Sequence, residues 1–148
     1  MGEARKLLSP TDRTTIKRRA AQIFAASGST SGEWSILLAD DAFVRALNAR
    51  YRGRDCTTDV LSFPLATSSE GHADDEGEPQ LGDVIVSVPQ TLRQARPGDA
   101  GGELLRLLVH GFCHLRGLDH EAGKAEARRM WLEEARLCEA IGVKPRPQ

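Results

Sequence analysis

The chain has 148 residues, 40% of them apolar and only 5% aromatic, enough for one core resting on Leu, Val, Ile and Ala. Its 20 basic and 21 acidic residues give a net charge of −1, which excludes a histone-like or uniformly basic nucleic-acid binder. No apolar run approaches the roughly 18 residues of a membrane span, Met1 to Pro10 lacks the apolar stretch of a secretory leader, and three cysteines without paired spacing suit a reducing compartment.

The expectation is one cytoplasmic domain over 1–148 that makes no membrane contact. Ser9-Pro10-Thr11-Asp12 predicts a helix start, with Ser9 as cap, Pro10 in the first turn and Asp12 at a capping-box position. Ile16, Ala20, Ile23 and Phe24 follow at i, i+4, i+7 and i+8, the spacing of one buried stripe. Ser27 to Gly32 breaks the chain, and Trp34 to Leu38 has the length and composition of a strand. Asp40 or Asp41 caps a second helix with Val44, Leu47 and Tyr51 on one face, and Gly53 ends it. Asp59 to Phe63 is a second strand stopped by Pro64. Residues 65–80 lack periodicity and form an expected surface loop. Its 70–78 segment holds five acids and no Lys or Arg, so the remainder of the chain carries +4. Basic residues gather at Arg13, Lys17, Arg18 and Arg19 and at Arg50, Arg52 and Arg54, as on a solvated helix face and a polar loop.

Asp83 to Ser87 is a third strand and Pro89 to Ala95 a short helix. Gly98, Gly101 and Gly102 interrupt the chain before the most apolar helix, Glu103 to Arg116, whose leucines leave hardly any polar face and place it centrally. A last amphipathic helix, Glu121 to Ala140, turns Ala127, Met130, Trp131, Leu137 and Cys138 inward. The tail, 144–148, contains two prolines and is expected to be flexible.

Three of the four histidines fall within His110-Gly-Phe-Cys-His114-Leu-Arg-Gly-Leu-Asp-His120. His110 and His114, at i and i+4, leave one helix face about 5–6 Å apart at Cβ. Gly117 can end the helix in the left-handed conformation and let the chain return, bringing His120 over the pair. Three neutral imidazoles with a position left open form the pattern of a catalytic zinc site rather than a closed structural one. The spacing also matches the metzincin string HExxHxxGxxH except at Gly111, where those proteases carry their general base. Ordinary zincin proteolysis would therefore lack its proton acceptor. Cys113 is a rival soft ligand but is expected in the core. Asp119 is either the cap of the last helix or a partner of a ligand imidazole.

His110-Gly111, His114-Leu115, Gly117 and Asp119-His120 resemble the signature of the YbeY family of bacterial endoribonucleases and ribosomal-RNA maturation factors. Tyr51-Arg52-Gly53 with Thr58 to Pro64, and Leu81 to Ile85, match it as well, and Met130 and Glu134 fit its last helix. The resemblance implies an α+β fold, an α/β sandwich of a small mixed sheet of three to four strands and about five helices, with the metal site on the central helix. It implies one Zn2+ on His110, His114 and His120. It further implies single-strand-specific cleavage of RNA in maturing the 3′ end of small-subunit ribosomal RNA, with the ribosome as partner. The upstream arginine of the family's motif falls on Arg52, whose planar cation suits phosphate. The ion would then act as Lewis acid and water activator, with Arg52 as phosphate clamp. Two rival functions are a metal-dependent hydrolase of peptides or small amides, and a non-catalytic zinc-containing ribosome-assembly factor.

Overall fold

The computed structural model describes residues 10–29, 31–65 and 80–147. Ser9, the side chain of Asp12 and the acidic 70–78 segment with His72 fall outside them. Helix α1 (Pro10–Ala26) buries Ala20 and Ile23, with Ile16 and Phe24 packed against the same core. Strand β1 (Glu33–Ala39) and helix α2 (Asp41–Arg52) follow. Of the two candidate caps Asp40 takes the role, its carboxylate accepting from the Phe43 amide at 2.9 Å. Asp41 accepts instead from Thr57, Ser87 and Arg93, and the Arg93 hydrogen bond holds its carboxyl below the usual range. Gly53 ends α2 at φ 68°. Tyr51, expected on the inward face, is 57% exposed and touches only the edge of the Phe63 ring among its aromatic neighbours. Asn48 is buried beside Val44 instead, because its amide donates to the Cys56 carbonyl of the returning loop at 2.8 Å.

Strands β2 (Val60–Pro64) and β3 (Gln80–Ser87) complete a three-stranded mixed sheet in the order β1-β3-β2, with β1 parallel and β2 antiparallel to β3. β3 starts three residues before the strand predicted from Asp83, because Gln80 pairs with Glu33, and Gly82 with both Trp34 and Pro64. Alternation along β3 divides the interior. Val84 and Val86 face a large core with α1 and the last two helices, while Ile85 faces a smaller one with Ala39, Val44 and Leu61. Helices thus cover both faces of the sheet, and the fold is α+β.

Helix α3 (Val88–Gln94) precedes α4 (Ala100–Leu115) and α5 (Lys124–Ala140). α4 starts three residues earlier than expected: Gly101 and Gly102 lie in its first turn rather than before it. The Asp99 side chain occupies the space a Cβ on Gly102 would need, and the Asp99 carbonyl accepts from the Glu103 amide at 3.0 Å. α5 starts three residues late, after Gly123 at φ 128°. The residues from Lys144, expected to be flexible, meet the body at several points. Arg106 donates to the Lys144 carbonyl, Trp131 to the Arg146 carbonyl, and Arg146 to the buried Glu103.

α4 is the central helix, burying Leu104, Leu105, Leu107, Leu108, Val109, Phe112 and Cys113. Phe112 meets Trp34 edge to face at 5.0 Å between centroids. The helix packs tightly on the sheet at Gly111, where an added Cβ would lie 2.6 Å from Val84 Cγ1 and 3.1 Å from Ser62 Oγ. The Ser62 hydroxyl donates to the Gly111 carbonyl at 3.3 Å across this contact. Overpacking a site of this kind costs about 1–3 kcal/mol. Gly111→Ala is therefore expected to lower the urea midpoint by that free energy with an unchanged slope; an unmoved midpoint would mean that helix and sheet separate without cost.

Candidate metal centre

The i, i+4 spacing on α4 brings the rings of His110 and His114 to 4.7 Å between centroids. The turn that follows is fixed by backbone bonding. Gly117, at φ 90°, donates its amide to the His114 carbonyl at 3.0 Å, and Leu118 donates to the Cys113 carbonyl at 3.1 Å. This is a Schellman closure, and it needs a residue tolerant of positive φ at Gly117. Asp119 caps no helix; its carboxylate accepts from the Glu121 amide at 2.9 Å and tightens the turn. His120 thereby lies 5.2 Å and 5.0 Å from the His110 and His114 rings, and one nitrogen from each of the three falls within 4.8 Å of the others. His110 and His114 are half-buried and His120 is exposed, so the cluster opens to solvent on one side.

The tautomers follow from the outer partners. The His114 Nδ1 faces the Leu118 carbonyl at 2.9 Å, which can only accept, so Nδ1 carries the proton and Nε2 the lone pair. The His110 Nδ1 faces the Glu134 carboxylate of α5 in the same way. The two Nε2 atoms then point at each other across 3.2 Å, both as acceptors. Two ligands of a tetrahedral ion bound at about 2.05 Å are about 3.3 Å apart. The spacing and the outer carboxylate and carbonyl therefore fit a divalent ion that prefers imidazole. Burial chiefly, then the neighbouring His110 and His120, lowers the pKa of His114 below its ordinary value, against the hydrogen bond to Leu118. Cys113 turns away into the core, where burial pushes its thiol up and keeps it protonated.

Arg52, at the exposed end of α2, borders the same cleft as His114 and His120, with Arg54, Ser62 and Pro64 beside it. Among the described residues it has no hydrogen-bonded or ion-paired partner. The role of Glu134 as the His110 partner was not assigned from sequence. Its place four residues beyond Met130, on the stripe of α5 that faces α4, is the signal that bears on it.

Residues 5–142 match the family described as Endoribonuclease YbeY. The chain belongs to the YbeY family. An Endoribonuclease YbeY of Anaeromyxobacter sp. is 45% identical over 130 residues, covering 86% of this chain and 64% of its own length. One from Moorella thermoacetica is 43% identical over 135 residues, covering 85% of each chain. A solution structure of a Thermotoga maritima protein aligns with a TM-score of 0.56 at 25% identity, over 86% of this chain and 79% of that one. The match thus spans just under two thirds of the Anaeromyxobacter relative.

Two measurements test the geometry. Outer partners of ligand histidines typically contribute 10–100-fold in metal affinity, so Glu134→Gln is expected to weaken binding of a divalent ion by about that factor in calorimetry; unchanged affinity would remove Glu134 from the site. In metal-free protein the ring of His114 is expected to titrate below the 6.5 of a solvated imidazole. Between the two values the fold binds fewer protons than the unfolded chain, so this group lowers stability as pH falls through that window and costs nothing above it. An NMR midpoint at or above the solvated value would show that His114 is neither buried nor crowded by the other two rings as described.

Proposed function

We propose that this protein is a zinc-dependent, single-strand-specific endoribonuclease that acts in the cytoplasm on ribosomal RNA, in the 3′-end maturation of the small subunit and in ribosome biogenesis. The observation that carries this reading is the convergence of the His110 and His114 Nε2 atoms at 3.2 Å beside His120. Family membership and the name borne by the relatives, Endoribonuclease YbeY, support the substrate class. The whole of 1–148 is read as one metal-hydrolase domain. Among the described residues no helix is long and apolar enough to cross a membrane.

His110, His114 and His120 would hold the ion, with Glu134 and the Leu118 carbonyl orienting the first two. A bound zinc ion supplies a Lewis acid and lowers the pKa of coordinated water to about 7. Arg52 is suited to the other half of the chemistry. Its guanidinium is ion-paired with no carboxylate among the described residues, and it can form two parallel hydrogen bonds to the phosphate oxygens on which charge develops. Its position at the last turn of α2 also favours the helix dipole, and the two roles are compatible.

The peptidase alternative meets a physical obstacle at Gly111. A glutamate there would have to enter space held by Val84 and Ser62. The non-catalytic alternative, zinc shaping an RNA-binding surface on an assembling ribosome, predicts binding without cutting. Purified wild type, His114→Ala and Arg52→Ala are to be compared on unstructured RNA with added zinc. Loss of one transition-state hydrogen bond of the oxyanion-hole type costs about 100–1000-fold, and Arg52→Ala is expected in that range with zinc content retained. His114→Ala is expected to lose both zinc and cutting. Equal rates for all three would assign the activity to another site, and an inert wild type would favour the assembly-factor reading. Metal analysis of protein purified without added metal, beside His120→Ala, tests the ion directly: about one zinc per wild-type chain is expected, and a chain that stays empty after reloading would overturn the site.

A further inference from the structure

A second cleft adjoins the histidine site. Ala125, Arg128, Arg129, Leu132, Glu133 and Arg136 recur at i, i+3, i+4, i+7, i+8 and i+11, which is one stripe of α5 about 16 Å long. Arg116, the residue that caps the end of α4, closes the other wall. Leu118 borders both this groove and the cleft that holds His114, His120 and Arg52, so the two are neighbours at that residue.

The charge of the groove is one-sided. Four arginines line it against one acid, Glu133. Arg136 donates to both Glu133 oxygens and to the Ala26 carbonyl, and Arg116 lies 3.7 Å from Glu133 while donating to the Ser27 carbonyl. Glu133 is thus shared by two cations and neutralises one charge. Arg128 and Arg129 are exposed and have no hydrogen bond or ion pair among the described residues. Leu132, between them and Arg136, is 48% exposed, and no aromatic ring lines the groove. The histidine cleft is different: Arg52 and Arg54 share its lining with Asp119 and Glu121, so their charges balance over the cleft although no ion pair joins them among the described residues. A surface with a net excess of guanidinium and no stacking platform recognises the repeated anions of a phosphodiester backbone and is indifferent to base identity.

We infer that the Arg116–Arg128–Arg129–Arg136 groove is an extended, sequence-independent track for the backbone of a single RNA strand, which leaves the histidine cleft past Leu118. This rests on the endoribonuclease reading and extends it from the point of cutting to the flanking strand. Arg128 and Arg129 supply phosphate contacts, while Arg116 and Arg136 are held in place by Glu133. Because these contacts lie away from the reacting atoms, they act on KM rather than kcat.

Salt dependence supplies the test. On single strands each phosphate contact contributes about −0.7 to the slope of log affinity against log salt, so losing two makes the slope shallower by about 1.4. Zinc-loaded wild type, Arg128→Gln/Arg129→Gln and a surface control, Lys17→Glu/Arg18→Glu on α1, are measured by fluorescence anisotropy and by cleavage on RNAs of about 4 and about 16 nucleotides. The inference expects wild type to bind the longer RNA more tightly than the shorter. It expects the glutamine pair to raise Kd and KM for the longer RNA several-fold with the shallower slope, and the control to leave both unchanged. Normal binding of the longer RNA by the glutamine pair, with the wild-type slope, overturns the track, leaves the cutting site standing and turns the groove over to an acidic protein surface. An equal loss in the control would make the effect one of net charge and also overturns the track. Wild type that binds and cuts neither RNA overturns the endoribonuclease reading itself.

Discussion

Two imidazole nitrogens 3.2 Å apart, with each ring's other nitrogen engaged elsewhere, are spaced to share one cation. The arrangement of His110 and His114 depends on this, since each Nδ1 proton is committed to an acceptor on another part of the chain. Repulsion between the facing lone pairs is relieved by a proton or by a cation. Burial and the neighbouring rings disfavour the proton at His114, which leaves the cation as the better partner. The fold takes up the rest of the work. α5 brings Glu134 to one ring, and the Gly117 turn brings the Leu118 carbonyl to the other, so one tertiary and one local contact set which nitrogen of each ring points inward. His120 is placed by the same turn, and it is the exposed member of the three.

The histidine triplet was legible because its determinants are local. An i, i+4 pair, a glycine two residues past the helix end and a third histidine on the return all lie within eleven residues, and helical periodicity converts that spacing into geometry without knowledge of the rest of the fold. The same holds for the Ile16–Ile23 stripe, the Asp40 cap and Gly53. What was not legible is what comes from packing between elements. Glu134 meets His110 across 24 positions of chain, Asn48 displaces Tyr51 because of a carbonyl in a later loop, and β3 lengthens because Glu33 and Pro64 are there to pair with Gln80 and Gly82. The helix starts moved for a related reason. Glycine is a breaker on average, but Gly102 begins α4 because Asp99 needs the space that a side chain would fill.

Gly111 links packing to chemistry. A residue one position from a ligand histidine points about 100° away around the helix, and here that direction is into the sheet, onto Val84 and Ser62. The close contact keeps α4 low on the sheet, and the strand-facing bond from Ser62 fixes the height of its carbonyl. The same contact excludes the side chain that a zincin protease carries at this point. The absence of a carboxylate at position 111 thus agrees with how the helix is seated, and the carboxylate nearest the histidines on α5, Glu134, is already engaged with His110.

Pairing sorts the positive charge of the chain into structural and available parts, which the totals of 20 and 21 conceal. Arg106 and Arg146 are consumed by the buried Glu103, Arg93 by Asp41 and Arg45 by Asp55. The Arg146 and Arg93 pairs join elements distant in sequence, the other two are local, and all leave little field outside. Arg52 and Arg54 at one end of the histidine cleft, and Arg128 and Arg129 beyond the other, stay uncommitted among the described residues and face solvent. An exposed cation without an acid beside it keeps its full attraction for a polyanion, whereas one already paired would first have to be separated from its partner. A chain that is nearly neutral overall can therefore present a local positive path, provided its acids are spent on arginines elsewhere.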